Sequence, residues 1–474
     1  MEQKAKATNS IVEGVIWKSL LAFFFPILLG TFFQQMYNTV DSVVVGNFVG
    51  KEALAAVGGS AAQILNLLIG FFTGIGSGAT VVVSQYYGAD DADGVHRAVH
   101  TAIAVAVLGG LMMTVLGLLC APTMLRWMDT PPETMEDSAV YLRVIFLGMI
   151  PSMIYNIGSG IQRAVGDSKR PLYFLIVCCV LNIALDLLFV VVFRMGVAGV
   201  AIATTLSQVV SAILVCASLG RTKDSYRLEM RRVRLDRCMT NETIRIGLPS
   251  GLQSVLFALS NILITTSING FGTSTVAAWV ALGKVDAMNW MIIGAFGVAV
   301  TTFVGQNYGA RRYERVSRSM RVCMVLCEAA TILFSILAVC FSRQIFSLFT
   351  QDGAGNVDSH DQLHGQMLLA LHPHRNHQRH AARHGQRAGA HGHNGAGHLR
   401  HPRGVDAGCG APLACAGIHH VQLSLLVDSD LAGLRRLLSE DAKAAAARSG
   451  VRKGRKYGSE ASGGSAGPAA AGPV

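Results

Sequence analysis

SQYYGADDADGVHRAV, residues 84–99, returns 221 positions later as GQNYGARRYERVSRSM, residues 305–320. Gln85, Tyr87, Gly88, Ala89, Val95 and Arg97 align with Gln306, Tyr308, Gly309, Ala310, Val316 and Arg318. At nearly the same shift Pro26 meets Pro249, and FVGKEALAA from Phe48 meets FGTSTVAAW from Phe271, so a second unit begins near residue 246. The matches are polar and occupy equivalent loop positions, which chance likeness between two apolar stretches rarely produces.

Between these loops the chain is apolar. Of its 474 residues 51% are hydrophobic and 15% charged, and its mean hydropathy is +0.42; a soluble domain carries about 25% charged residues. Charge-free runs occupy 19–40, 53–89, 98–125, 144–162, 195–220, 246–283 and 287–310. Most exceed the ~20 residues a helix needs to cross ~30 Å of hydrocarbon. Two further apolar stretches, 171–193 and 322–342, are each broken by one acid, Asp186 and Glu328. Divided at their Gly, Pro and polar clusters, these stretches predict nine spans, near 17–45, 53–80, 98–121, 139–161, 171–193, 197–219, 246–270, 275–303 and 320–341.

Basic residues set the expected orientation, because cytoplasmic loops retain Lys and Arg. With the N-terminus inside, inner segments collect 20 basic residues and outer segments five, Lys51, Arg126, Arg143, Arg194 and Arg343. That asymmetry accounts for the formal charge of +11 without nucleic acid as a partner. The first apolar run is long enough to span and no small-residue cleavage site follows it, so it reads as an anchor. Six spans separate the two copies, which gives them the same hand in the membrane. Parallel repeats related by an axis along the membrane normal are a transporter arrangement, with substrate held near the midplane between two lobes. An embedded enzyme would need a convergent nucleophile or an Asp-rich metal motif, and neither is visible.

The segment PILLGTFFQQMYNTVDSVVVGNFVGKEALAAVG, from Pro26, resembles the first span and following loop of the multidrug and toxic compound extrusion (MATE) family. The QYYGA and QNYGA loops resemble that family's ends of the second and eighth spans. The resemblance covers residues 15–350. It implies an all-α integral membrane protein of two parallel six-helix lobes, with the second lobe cut short and about nine of twelve spans present. The expected organisation is an N-terminal lobe at 1–220, a basic cytoplasmic loop at 221–245, the first three helices of the C-terminal lobe at 246–350, and an aberrant tail at 351–474. The implied function is export of organic cations across the bacterial inner membrane, in exchange for Na⁺ or H⁺ and without a cofactor, by a monomer. A lipid-linked precursor flippase and a non-transporting remnant are the alternatives.

An intramembrane acid is a functional candidate by default, since even lenient insertion scales charge it ~2.5–3.5 kcal/mol. Asp41 follows the charge-free run 19–40 and precedes SVVVGNFVG, near the outer end of the first span. Asp186 sits in LNIALDLLFV with Asn182 four residues earlier, on the same helix face. Two carboxylates, an amide oxygen and a hydroxyl would suit Na⁺, and two acids brought close would share a proton, because like charges oppose ionising both. The resemblance implies that Asp41, Asn182, Asp186 and Thr204 form the coupling set of the N-terminal lobe. Two plainer readings stand beside it: Asp41 as a helix-end acid wet from outside, and Asp186 as an ion-pair partner of Arg194. For Asn182 and Thr204, interhelical hydrogen bonding is as good an account as ligation. The family's other branch places acids in the seventh and tenth spans, and the run 246–283 contains none. Gln34, Tyr37 and Asn38 are candidates to line a substrate cleft, although polar packing explains them equally. GIGSG, Gly74–Gly78, lacks the Lys and the strand of a nucleotide loop, and reads as close helix packing.

After Thr350 the pattern changes. Thirteen of the fifteen His fall in the last 124 residues, in a tract such as HPHRNHQRHAARHGQRAGAHGHNGAGHLRHPR. The His have no regular ligand spacing and are mixed with Arg, which disfavours a metal site, and the composition suits a disordered tail. A third reading explains more: His, Arg, Ala and Gly codons read one base later become those of Ile, Met, Leu and Val wherever the new second base is T. A slipped frame would therefore turn apolar spans into such a tract. The coding DNA read one base later from about residue 355 should yield three apolar runs of about 20 residues. Stop codons within the first few dozen shifted triplets would reject this reading.

Overall fold

The computed structural model describes residues 10–269 and 273–341; side chains are described outside 10, 262–282, 284 and 339. Among the described residues every regular element is helical. The order is α1 Ser10–Glu13, α2 Ile16–Phe48, α3 Lys51–Gly58, α4 Ser60–Gly88, α5 Ala92–Trp127, α6 Pro132–Leu147, α7 Met149–Ala164, α8 Lys169–Asp186, α9 Gly196–Arg221, α10 Arg237–Asn269, α11 Thr273–Gly309 and α12 Tyr313–Cys340. A π-helical turn, Leu187–Val192, continues α8.

Seven of these segments are long and apolar enough to cross a membrane, and α6 with α7 makes an eighth span bent by 51° at Gly148. α10 covers the seventh expected span. The chain is an all-helical, multi-pass membrane protein, and its helices follow the nine expected spans in order. Several overrun the apolar stretches, α4, α10 and α12 at the ends that carry the basic loops and α5 and α6 also at the opposite end, because a helix does not stop where hydrocarbon does.

The repeated motif is a structural repeat. In both copies the helix closes with a bond from the Ala N–H to the Gln carbonyl, Ala89 to Gln85 and Ala310 to Gln306, each 2.9 Å. Two further pairs match: Asp90 N–H to Tyr87 O with Arg311 N–H to Tyr308 O, and Asp91 N–H to Tyr86 O with Arg312 N–H to Asn307 O. Asp90 and Arg311 occupy equivalent positions with φ of 60° and 57°. The two loops then meet. A methyl group built on Gly88 would overlap the Gln306 carbonyl, and one on Gly309 would overlap the Gln85 carbonyl.

The same closeness extends along α4 and α10, the most extensively packed helix pair. A side chain at Gly74 would strike the Gly251 backbone, and one at Gly78 the Thr243 carbonyl and Gly247. Small residues spaced four apart on both helices let the two backbones touch. A second seam joins α2 to α11, where Phe24 stacks on Phe296 with centroids 4.0 Å apart and Phe23 meets Phe303 edge-on at 6.1 Å. Arg312 and Arg315 hold α1 by its carbonyls: Arg312 donates to Val12 O at 2.8 Å, and Arg315 to Ile11 O and Gly14 O. All of these contacts lie in the half of the helices bearing the basic loops.

α12 is the least covered span. Only 6% of its apolar window is buried, against 28–44% for the other single spans, and Val325, Leu333, Ile336 and Leu337 stand exposed. The second lobe is thus represented among the described residues by α10, α11 and α12, with a face of α12 left for lipid or further helices to cover.

The glycine seam yields a prediction. Gly78→Val places a branched side chain against the Thr243 carbonyl, and overpacking of this kind costs ~1–3 kcal/mol. A cysteine introduced at Thr243, which is 3% exposed, should be labelled faster by a thiol reagent in the Gly78→Val background. Equal labelling rates in the two backgrounds would show that the seam does not hold the halves together.

Candidate functional site

α2 begins at the basic end and runs 33 residues, so Asp41 lies ~37 Å along it, within two turns of the far end. The side chain turns inward with Val44 and Val45, and is only 7% exposed. On α8, Asn182 and Asp186 share one buried face, at 1% and 0% exposure. Asp186 is the last α-helical residue before the π-helical turn. Such turns shift the register of the face they carry and are frequent at functional sites. α9 supplies Thr204, whose Oγ1 donates to Asp41 Oδ2 at 3.3 Å.

The structure brings all four residues together. Asp186 and Asn182 lie against the Asp41 carboxylate, and Tyr37 and Tyr141 close the neighbourhood. The cluster is under-satisfied. Asp41 Oδ1, both oxygens of Asp186, and both the oxygen and nitrogen of the Asn182 amide are buried without a hydrogen-bond partner. An orphaned buried polar atom costs ~1–3 kcal/mol, more when charged. Five in one cluster, four of them oxygens, form a donor set for a hard cation or a site for shared protons. No guanidinium compensates them: among the described residues Arg194 makes no ion pair with Asp186. Nor is Asp41 a helix-end acid open to water.

A narrow cleft of about 10 Å³, room for about one water molecule in this conformation, adjoins the cluster. Gln34 and Tyr37 of α2, Tyr155 of α7, Cys178 and Asn182 of α8, and Thr204, Ser207 and Gln208 of α9 line it. Asn182 and Thr204 therefore face both the carboxylates and the cleft. Asn38 is exposed and outside the lining; its carbonyl accepts from Ser42 Oγ at 3.0 Å. Tyr155, Ser207 and Gln208 were not among the sequence candidates. Their signal was available, as polar side chains inside apolar spans, but α7 and α9 offer several such residues and only packing selects among them. Ser207 Oγ and Gln208 Oε1 are also buried without partners.

Removing one charge from a buried like-charged pair should relieve repulsion. Asp186→Asn, nearly isosteric, should stabilise the detergent-solubilised protein by roughly 1–3 kcal/mol in sodium-free alkaline buffer. A thermal melt lower than that of the unsubstituted protein would indicate instead that both carboxylates are needed for packing.

Comparison with known proteins places the fold. A family model, MatE, matches residues 26–188 and 249–360. The probable multidrug resistance protein YoeA of Bacillus subtilis (strain 168) is 31% identical over 354 residues, covering 73% of this chain and 76% of its own. The probable multidrug resistance protein NorM of Geobacillus kaustophilus is 26% identical over 347 residues, 71% of this chain and 75% of its own. Among solved structures, the outward-facing conformation of a multidrug resistance MATE family transporter of the MOP superfamily superimposes with a TM-score of 0.70 at 25% identity. That match covers 77% of this chain and 82% of the other.

Proposed function

Since the chain belongs to the MATE family of membrane transporters, we propose that it is a cation-coupled antiporter, exporting organic cations across the bacterial inner membrane against inward flow of Na⁺ or H⁺. The observation that carries this reading is the set of five unpartnered polar atoms around Asp41 and Asp186, sharing Asn182 and Thr204 with an adjoining cleft. Asp41 is the principal coupling carboxylate, and Asp186, Asn182 and Thr204 complete the set. Gln34, Tyr37 and Asn38 are assigned to the substrate path, Asn38 at its exposed edge.

Antiport requires that ion and substrate favour different conformations of one protein. A Na⁺ or proton among the carboxylates satisfies the orphaned oxygens and lets α2, α8 and α9 pack closely. Without it, repulsion between Asp41 and Asp186 loosens the same helices and leaves negative charge beside the cleft, where a cationic substrate would take its place. Through Asn182 and Thr204 each occupant alters the lining seen by the other. The seams at the basic end agree with a state closed on that side, which the Lys and Arg distribution assigns to the cytoplasm, with the N-terminus inside.

A flippase for a lipid-linked precursor would call for a larger, cationic cavity; neutral polar side chains line this cleft. The remnant reading draws on one observation, the bare face of α12. It predicts full membrane insertion with impaired transport.

Asp41→Asn should abolish ethidium efflux driven by a Na⁺ or pH gradient in proteoliposomes while leaving insertion and yield unchanged. Efflux at the level of the unsubstituted protein, with both gradients varied separately, would refute the assignment of Asp41.

A further inference from the structure

The segment joining the lobes, residues 222–236, is strapped across the first turns of α5. His100 Nε2 accepts from the Glu229 N–H at 3.0 Å, and its Nδ1 meets the His96 carbonyl at 2.6 Å. Thr101 Oγ1 accepts from the Asp236 N–H at 3.3 Å, and Tyr226 and Leu228 are buried in the core of the N-terminal lobe. Asp236 Oδ1 caps α10, accepting from the Cys238 and Met239 N–H groups at 2.9 and 3.1 Å. The strap is therefore fixed at both ends, and the space beneath it is a built cavity.

That cavity, about 380 Å³, is lined by His96, Arg97, Arg231, Arg232, Arg234 and Asp236 among others. Its charge is unbalanced. Arg232 is paired with Glu229 at 2.9 Å, but Arg97 reaches Asp236 only at 3.9 Å, and one oxygen of that acid is already spent on the α10 cap. The guanidinium groups of Arg231 and Arg234 make no ion pair among the described residues. His96, also on the lining, has its Nε2 buried without a hydrogen-bond partner. Like charges gathered around a fixed hollow call for an anion.

The cavity's depth narrows the choice. The apolar run of α5 begins at Ala98, between His96 and His100, so the opening lies where hydrocarbon gives way to the headgroup layer. Guanidinium groups match the oxygens of a phosphate in a forked, charge-assisted geometry, and anionic headgroups collect at basic cytoplasmic surfaces. We propose that this cavity binds a phosphate-bearing anion, a phosphomonoester or phosphodiester group held by Arg97, Arg231 and Arg234 beside His96. Such a ligand would tie the start of α5 to the strap that leads into α10, and so to the lobe-to-lobe seam. Placing its source in the inner leaflet rests on the cytoplasmic assignment of the strap; the anion site itself does not.

The test uses the full chain in neutral detergent, melted with dihexanoyl phosphatidylglycerol or with inorganic phosphate, at constant ionic strength. Arg231 and Arg234 are exposed, so Arg231→Gln/Arg234→Gln should fold, and a normal melt without ligand verifies it. The unsubstituted protein should show a saturable stabilising shift with at least one of the two probes. The apparent affinity in the double variant should fall roughly tenfold or more. Arg126→Gln/Arg143→Gln, which removes the same charge from the opposite end, should retain the shift. A shift with the lipid alone assigns a headgroup, and an equal shift with phosphate assigns a free anion. No shift with either probe, or a loss as large in the opposite-end variant, overturns the proposal. A second double variant, Arg231→Lys/Arg234→Lys, keeps the charge but not the fork; it should bind more weakly than the unsubstituted protein and more strongly than the Gln variant.

Discussion

Backbone contact at the glycine seam is the constraint on which the arrangement of the two lobes depends. α4 and α10 touch at Gly74 with Gly251 and at Gly78 with Gly247, where any side chain would overlap a neighbouring backbone. In lipid there is little hydrophobic drive between helices, so close van der Waals approach through small residues is what holds them. The two repeat loops add a reciprocal contact, each glycine under the other's glutamine carbonyl. These seams lie in one half of the membrane, and the carboxylate cluster lies in the other, near the far end of α2. A transporter that works by rocking two lobes needs this asymmetry, a firm closure on one side and an adaptable site on the other.

The cluster shows the opposite economy. The glycine seam leaves no space unfilled, whereas the Asp41 and Asp186 site leaves oxygens unmatched in a buried setting. Native proteins rarely tolerate such a deficit without a use for it. Its position at the α8 junction with a π-helical turn, beside Thr204 of α9, means that small changes in helix register alter the distances among the oxygens. The same two side chains, Asn182 and Thr204, stand between the carboxylates and the cleft, which is the shortest physical route by which occupancy of one could be felt by the other.

The basic strap belongs to neither device, yet it connects to both lobes. It is anchored on α5 through His100 and Thr101 and opens α10 through the Asp236 cap. Its arginines are among the densest basic residues of the chain, and in the folded protein several of them line a cavity.

Much of this was legible in the order of residues. Long charge-free runs can only be satisfied as helices in hydrocarbon, because an unpaired backbone has no water to turn to, and the recurrence of QYYGA as QNYGA announced two equivalent units. Asp41, Asn182 and Asp186 stood out because charge and amide are costly inside apolar spans. The i, i+4 spacing of the latter two needed only helix geometry, and GIGSG read correctly as a packing motif. Tertiary structure alone decided the rest. That α2, α8 and α9 bring Asp41, Asp186 and Thr204 together depends on contacts between residues as many as 163 positions apart, which no local pattern encodes. Arg194 lies two turns beyond Asp186 in sequence, yet the π-helical turn shifts the register between them and Arg194 itself, left-handed at φ 53°, lies past the helix end. Tyr155 and Gln208 join the cleft, while Asn38 turns to its exterior, because a helix face is assigned by its neighbours and not by its composition. The anion cavity needed a loop folded back on a helix start, a placement fixed by buried Tyr226 and Leu228 and by two hydrogen bonds from the loop backbone to the His100 and Thr101 side chains that no sequence motif announces.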